Sequence, residues 1–219
     1  MESINLQHLV SLSVLEKTHP FRVDLAYARA DNFLFGEAIY RPDASLWLHQ
    51  NLADIVVRAA HLCFERYGLR LVLYDGLRTV EAQEKMLQTQ RVQENLHWLE
   101  EPRLLSSPGG GAHPRGMAID LSLEDLAGRA LDMGTVFDFL AEDSDVAHNP
   151  AHRQYQGHSP AVVENRRKLD EIMCEAAAAC AQPLFLLPQE WWDFRLPIDV
   201  YGEYVPLSDA DLPLKMRMT

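Results

Sequence analysis

Two short segments place the strongest constraint on how this chain can fold. Residues 111–120 read Gly-Ala-His-Pro-Arg-Gly-Met-Ala-Ile-Asp, so a histidine precedes an aspartate by seven positions. Residues 190–194 read Glu-Trp-Trp-Asp-Phe, so two carboxylates lie three positions apart beside bulky aromatic side chains. An imidazole, carboxylate ligands and one spare carboxylate that acts as a base are the parts of a catalytic metal site. We therefore expect a fold in which the two segments meet.

Residues 117–123 show the alternation of a β-strand. The odd-numbered positions are large and apolar, whereas the even-numbered positions are small or polar and include Asp120. Because successive side chains of a strand point to opposite faces, Asp120 is predicted to project from the polar face, where a site can be built. In an ideal strand Glu190 and Asp193 would point to opposite faces, so a bulge or a strand end is needed for both to face one metal.

Helices and strands are mixed along the rest of the chain. Apolar spacing and cap residues predict a helix over 45–67 that stops at Gly68, a strand over 69–74, a helix from Thr79 to about Gln90, a helix from Ser159 to about Ala181, and strands over 184–187 and 190–196. The last strands follow one another without a helix, which favours an α+β fold over a regular doubly wound sheet. We expect residues 1–219 to form a single domain, with helices packed on a central, mostly antiparallel sheet that carries the metal site.

The acidic composition restricts the possible partners and compartments. A net charge of −12 repels polyanions, so neither nucleic acid nor an anionic membrane surface is an expected partner. No stretch approaches the apolar length of a membrane span, and the first eight residues lack the features of a signal peptide. We therefore expect a cytoplasmic protein, or a periplasmic one if a signal was removed.

The cysteines indicate a reducing environment. The number of cysteines is odd, and all three lie in segments with helical spacing: Cys63, Cys174 and Cys180. This arrangement is not typical of a disulfide framework or of a Cys-x-x-Cys metal pair. We expect three reduced thiols in the core.

Distinctive motifs occur from one end of the chain to the other. They are Tyr27-Ala28 with Asp31-Asn32-Phe33, Asp75-Gly76-Leu77-Arg78, His113-x-x-Gly116-x-Ala118-Ile119-Asp120, Met133-Gly134 with Phe137-Asp138-Phe139, Asn165-Arg166-Arg167, and Glu190-Trp191-Trp192. Together they resemble the D-alanyl-D-alanine dipeptidases, zinc enzymes of the vancomycin-resistance type that are related to the D,D-carboxypeptidases of peptidoglycan metabolism. The resemblance implies a metallopeptidase domain with one zinc ion per chain and a small D-dipeptide as its substrate.

The resemblance also implies catalytic roles. His113 and Asp120 match two zinc ligands, and Glu190 matches the carboxylate that takes a proton from the zinc-bound water and passes it to the leaving amine. Arg78 matches the arginine that stabilises the oxyanion, a task that suits a permanently charged guanidinium. An alternative role for Arg78 is a structural salt bridge with Asp75 or another carboxylate.

Three further positions are implied in substrate binding. Asp138 and Tyr27 match positions near the free amino end of the substrate. The family has a serine two residues before the first histidine, where this chain has Gly111. The glycine removes a hydroxyl and makes the loop more flexible, so altered substrate selection is expected.

One ligand position departs from the family. Its third zinc ligand is a histidine three residues after the catalytic glutamate, and this chain has Asp193 there. We expect His113, Asp120 and Asp193 to bind the ion, with one open position for water. This ligand set suits Zn²⁺ and also Mn²⁺, Fe²⁺ or Co²⁺, and the second carboxylate should make the bound water less acidic. An alternative source of the missing ligand is a loop histidine: His148, His152 or His158.

Two classes of function are compatible with these residues. The first is metal-dependent hydrolysis of D-Ala-D-Ala or a related D-amino-acid dipeptide. The second is a catalytically weak or inactive relative that binds a cell-wall peptide or a metal. Retention of the base and of the oxyanion arginine favours the enzyme, because an inactive relative has little reason to keep either.

Overall fold

A five-stranded sheet forms the centre of the protein in a computed structural model, which describes residues 1–100, 104–143 and 145–219. The strands are, in chain order, β1 (Leu9–Ser11), β2 (Phe21–Val23), β3 (Trp47–His49), β4 (Leu69–Asp75), β5 (Ala118–Asp125), β6 (Phe185–Leu186) and β7 (Asp193–Arg195). The central sheet has the order β2-β4-β5-β7-β6, and β1 pairs with β3 in a small second sheet. Within the central sheet β2 and β4 are parallel and the other pairs are antiparallel, which confirms the predicted sheet.

Two long helices pack against each other and against this sheet. The helices are α1 (Leu12–Leu15), α2 (Gln50–Tyr67), α3 (Val80–Gln88), α4 (Gln90–Gln93), α5 (Pro160–Ala179) and α6 (Ile198–Tyr201). Helix α2 contacts β4, α5 contacts β5, and the two helices contact each other. The arrangement is a mixed α+β domain, as predicted. None of the helices in the described part of the chain has the length and apolarity needed to span a bilayer.

Local chemistry explains where the long helices begin and end. Gly68 adopts a left-handed conformation with φ of 61°, and its N–H donates to the carbonyl of Phe64, which ends α2 as predicted. The Ser159 side chain accepts a hydrogen bond from the N–H of Val162 at the start of α5, also as predicted.

Several predicted boundaries are wrong, and each has a physical reason. Helix α2 begins at Gln50 rather than near residue 45, because the residues before it pair with β1 as strand β3. The helix predicted to reach Gln90 is interrupted at Thr89, whose side chain accepts from the N–H of Val92 and caps a new helix, α4. The strand predicted over 190–196 is confined to β7, because the residues before Asp193 form a turn.

The cysteines differ from one another in burial. Cys63 lies on the buried face of α2 and belongs to the hydrophobic core. Cys180 is half-buried, and Cys174 is exposed. The prediction of three core thiols is therefore wrong for Cys174, since α5 buries its neighbour Met173 and turns residue 174 outward. All three thiols are free.

Candidate active site

Three aspartates lie side by side across the three central strands. Asp120 on β5 is paired with Asp75 at the end of β4 and with Asp193 at the start of β7. A register shift between Leu73 and Asp75 turns Asp75 toward this row, as bulges beside functional sites often do. The three side chains are 0%, 2% and 1% exposed for Asp75, Asp120 and Asp193. Because like charges that face each other in a sheet are destabilising and buried charges require partners, the row requires cations.

His113 brings its imidazole to this row from the short 3-10 turn that precedes β5. Gly116 closes the turn with φ of 62°, a conformation that glycine adopts without strain. The Nδ1 atom of His113 lies 2.8 Å from the carbonyl oxygen of Gly76. A hydrogen on Nδ1 donates to that carbonyl, so the lone pair of Nε2 faces the aspartates. Gly76 is required there, because a Cβ atom would lie 2.8 Å from the carbonyl oxygen of Trp47.

The Nε2 atom of His113 lies close to both predicted carboxylate ligands. It is 3.6 Å from Oδ2 of Asp120 and 3.5 Å from Oδ2 of Asp193. Ligand atoms of a tetrahedral zinc site with bonds of about 2.1 Å lie about 3.4 Å apart, so these spacings fit a metal ion. Oδ1 of Asp120 is buried without a hydrogen-bond partner among the described residues, which also fits a site for a cation.

Asp75 belongs to the same cluster but contacts the other side of the imidazole. Asp75, His113 and Asp120 each offer a ligand atom, and these atoms all lie within 4.8 Å of one another. However, Oδ2 of Asp75 faces Nδ1 of His113 at 3.4 Å, and Oδ1 accepts a hydrogen bond of 2.6 Å from Tyr40. Asp75 therefore lies beside Nδ1, whose hydrogen is accepted by the carbonyl of Gly76. Sequence reasoning missed this contact, although the position of Asp75 directly after a strand was a usable signal.

The charges around His113 attract a positive charge to Nε2. Burial and the nearby Arg78 guanidinium oppose protonation of the imidazole, yet Asp120 and Asp193 raise its pKa to about 10. The cluster is therefore suited to hold either a proton or a metal cation at the same point.

Asp193 is held by a second arginine that the sequence analysis did not single out. The Nε atom of Arg195 donates to Oδ1 of Asp193 at 2.7 Å, and its Nη2 atom donates to Oδ2. Burial alone would raise the pKa of Asp193, but Arg195 and then His113 hold it well below its usual range. The alternation of strand residues places positions 193 and 195 on one face, and this was the available signal.

Glu190 precedes β7 in a turn, so a strand end rather than a bulge brings it beside Asp193. The N–H of Asp193 donates to the carbonyl of Glu190 at 3.3 Å. Arg153 spans the turn, since its Nε donates to the carbonyl of Leu187 at 3.0 Å and its Nη2 to the carbonyl of Asp193 at 2.9 Å. Burial, followed by the charges of Asp193 and Asp120, raises the pKa of Glu190 to about 7. A carboxyl group with this pKa can both accept and donate a proton near neutral pH.

Arg78 contacts two members of the aspartate row. Its Nε and Nη2 atoms donate to Oδ2 of Asp75 at 2.9 and 2.6 Å, and Nη2 lies 3.5 Å from Oδ2 of Asp120. The guanidinium also stacks over the ring of Tyr27 at 5.1 Å. The salt bridge with Asp75 is thus present, and the side chain also lines the cavity, where it can meet a substrate oxygen.

Asp138 and Tyr27 lie together on the cavity wall. The Tyr27 hydroxyl donates to Oδ1 of Asp138 at 2.9 Å, while Oδ2 is buried without a partner among the described residues. Asp138 has φ of 62°, an unusual conformation for a residue other than glycine, and such strain is often retained where it positions a functional group. Burial raises the pKa of Asp138 above its usual range, so a cationic partner would stabilise the ionised form of this carboxylate.

The cavity has a volume of about 590 Å³ and is lined by Arg78, His113, Asp120, Glu190 and Asp193 among others. Gly110 lines it, whereas Gly111 does not belong to the lining. The carbonyl of Gly111 accepts from Arg115 at 2.8 Å, and a Cβ atom at this position would lie 3.9 Å from the hydroxyl of Ser106.

The three loop histidines are placed differently from one another. His152 lines the cavity, but its Nδ1 accepts from the N–H of Gln154 at 3.0 Å. His148 contacts Asp143 at 2.7 Å, and His158 contacts the carbonyl of Pro150 at 2.8 Å. These three histidines contact other groups, whereas Nε2 of His113 contacts Asp120 and Asp193.

A buried histidine among carboxylates, beside a carboxyl group and an arginine that face a cavity, could hold a metal ion next to a space for a ligand. Residues 8–207 match the peptidase M15 family, described as D-ala-D-ala dipeptidase. The chain is 32% identical over 190 residues to the D-alanyl-D-alanine dipeptidase of Escherichia coli K12, covering 86% of this chain and 84% of that protein. The chain belongs to this peptidase family, which confirms the resemblance seen in its motifs.

Among solved structures, the L-Ala D-Glu endopeptidase ChiX of Serratia marcescens is similar over 70% of this chain and 84% of that chain. The two share 14% sequence identity with a TM-score of 0.38. Family membership identifies this chain as a peptidase, and it does not favour the alternative of an inactive binding protein.

Proposed function

We propose that this protein is a metal-dependent dipeptidase that hydrolyses D-Ala-D-Ala or a related D-amino-acid dipeptide. The observation that carries the proposal is the spacing of 3.6 and 3.5 Å from Nε2 of His113 to Asp120 and Asp193, with Glu190 beside them on the same cavity. His113, Asp120 and Asp193 would hold one ion, either Zn²⁺ or one of Mn²⁺, Fe²⁺ and Co²⁺. The ion would acidify a water molecule and polarise the scissile carbonyl.

The side chains of this protein divide the remaining work. Glu190 takes a proton from the attacking water and gives it to the leaving amine, and its place on the cavity beside the proposed ligands suits this transfer. The Arg78 guanidinium stabilises the negative charge that develops on the carbonyl oxygen. Asp138, oriented by the Tyr27 hydroxyl, pairs with the free ammonium group of the dipeptide.

The charge of the chain and the size of the cavity indicate the class of substrate. A free dipeptide has an ammonium group at one end, and the unpartnered Oδ2 atom of Asp138 offers it a buried anionic partner. The acidic chain and the cavity of about 590 Å³ favour a small zwitterion over a polyanion, so the proposed partner is a D-dipeptide rather than nucleic acid or a membrane.

The test measures metal content and hydrolysis together. The purified protein is stripped with a chelator, reloaded separately with Zn²⁺, Mn²⁺, Fe²⁺ or Co²⁺, and assayed with D-Ala-D-Ala and with L-Ala-L-Ala as the stereochemical control. We expect one ion per chain, hydrolysis of the D-dipeptide that is lost on chelation, and little cleavage of the L-dipeptide. A protein that binds none of these metals and cleaves no D-dipeptide would instead be a peptide-binding relative.

A further inference from the structure

We propose that Arg195 is a positioning residue that makes Asp193 a suitable metal ligand, so that the Asp193–Arg195 pair takes the place of a neutral ligand. This inference rests on the proposed function, because it assumes that the aspartate row binds a metal. It assigns a role to a residue that none of the matched motifs contains.

The geometry of the pair is that of a fixed unit. Arg195 lies two positions after Asp193 on β7, on the same face of the strand. Its guanidinium makes two hydrogen bonds to the carboxylate, one to each oxygen. The two side chains are 16% and 1% exposed for Arg195 and Asp193, so little solvent competes for these bonds. A paired, bidentate contact of this kind fixes the orientation of a carboxylate.

The pair leaves the carboxylate free to bind an ion. Each carboxylate oxygen has two lone pairs, so Oδ2 of Asp193 can accept from Arg195 and still bind a metal. This same oxygen lies 3.5 Å from Nε2 of His113, on the side where the ion is expected. The arginine therefore fixes the ligand atom without occupying the metal position.

Arg195 also reduces the net negative charge around the metal position. His113, Asp120 and Asp193 together contribute two negative charges, one more than a set of two histidines and one aspartate. The guanidinium of Arg195 remains charged at all relevant pH values and returns the total to one negative charge. Arg195 thus offsets the weaker acidity of the water expected when a second carboxylate binds the ion.

The residues at positions 193 and 195 are therefore expected to depend on each other. A histidine at position 193 would leave Arg195 buried without its carboxylate and close to a divalent cation. Repulsion between the guanidinium and the ion would weaken metal binding, although histidine is a good zinc ligand. Removal of both the aspartate and the arginine would relieve this repulsion.

The experiment is a double-mutant cycle in zinc affinity, measured by competition with a chromophoric chelator. The four proteins are the wild type, Asp193→His, Arg195→Gln and the double variant. We expect the double variant to bind Zn²⁺ at least about tenfold more tightly than Asp193→His alone. When Asp193 is retained, Arg195→Gln should change the affinity for Zn²⁺ by no more than about threefold. Loss of the repulsion strengthens binding, whereas loss of the positioning weakens it. Equal affinities of Asp193→His and the double variant would overturn the inference.

A second readout separates positioning from a purely structural salt bridge. The visible absorption spectrum of bound Co²⁺ reports the geometry of the ligands and does not depend on turnover. Arg195→Gln should change this spectrum, and so should Arg195→Lys, which keeps the charge but loses the bidentate contact. The exposed Arg167→Gln should retain the wild-type spectrum. An unchanged spectrum in Arg195→Gln would contradict the proposed role.

The two proposals fail in different ways. A wild-type protein that binds no metal would remove the proposed function and this inference together. A wild-type protein that binds metal and cleaves D-Ala-D-Ala, but whose changes at positions 193 and 195 are additive, would remove only the inference.

Discussion

The carboxylates of the cavity fall into two groups that differ in their partners. The paired row, formed by Asp75, Asp120 and Asp193, is contacted by Arg78, Arg195 and His113. The unpaired carboxylates, Glu190 and Asp138, form no salt bridge with any described residue, and burial raises the pKa of each. The difference is that fixed cations contact the carboxylates of the row, two of which are proposed to hold a metal. The others remain available to a proton or to the substrate.

The largest test of this comparison is the substitution Glu190→Gln. If Glu190 transfers protons, the turnover of D-Ala-D-Ala should fall by about 10²- to 10⁴-fold, because the amide cannot accept a proton. Metal content should stay at the wild-type level, since Glu190 is not a proposed ligand. The matched control is Glu84→Gln on the exposed side of α3, which should keep full activity. Near-normal hydrolysis in Glu190→Gln would assign the proton transfer to another group.

The next test concerns Arg78, which contacts the paired row and is proposed to contact the substrate. Arg78→Ala should lower kcat by about a hundredfold, as does loss of an oxyanion donor in other hydrolases. Steady-state kinetics and thermal unfolding are measured on the same preparations, with the exposed Arg167→Ala as the control. If only the unfolding midpoint changes, Arg78 serves the salt bridge with Asp75 and not the reaction.

The substitution Asp138→Asn tests the other end of the substrate. The amide keeps the shape of the side chain but loses the charge that is proposed to pair with the ammonium group. We expect kcat/KM for D-Ala-D-Ala to fall by about tenfold or more, mainly through KM, because a buried charged hydrogen bond is lost. An unchanged KM would show that the ammonium group binds elsewhere.

The smallest expected effect is a pH dependence of stability in the metal-free protein. Glu190 has a pKa of about 7 when folded and 4.5 as its ordinary value, so between these values the folded chain holds a proton that the unfolded chain has lost. The stability that this proton contributes is therefore lost as the pH rises from about 4.5 to 7, by at most about 1.4 kcal/mol for each pH unit. Urea unfolding of the wild type and Glu190→Gln at several pH values measures it. The variant should lack this part of the slope, and equal slopes would contradict the assignment.

Local patterns predicted much of this structure. The alternation around Asp120, the glycine that ends α2 and the serine that begins α5 act through neighbouring residues, so the sequence alone was informative. Asp193 was singled out only because it follows Glu190 at the spacing of a family ligand, and its role as a ligand stays a prediction. For these features the determining contacts lie within a few positions of the residue concerned.

The supporting residues depend on contacts between distant segments, which the sequence does not display. Asp75 joins the row only because a register shift in β4 aligns it with Asp120. Arg153 is thirty-four positions from Leu187, whose carbonyl it binds, and no periodicity relates the two. The strand predicted to begin at Glu190 begins only at Asp193, because hydrogen bonds across the turn determine the conformation of residues 190–192.

Arg153 contacts both ends of the turn that carries Glu190, and this affects how small molecules can enter and leave the cavity. The same arginine also contacts Asp170 of α5 and stacks on Phe194 at 4.6 Å, so the wall that carries Glu190 is tied to the interior of the protein. Because of these contacts, this wall is not expected to move outward to open the cavity. The cavity is also lined by residues 104–107 and 139–143, which belong to no helix or strand. We therefore expect a dipeptide to enter, and its two amino acids to leave, past these segments rather than past the turn of Glu190.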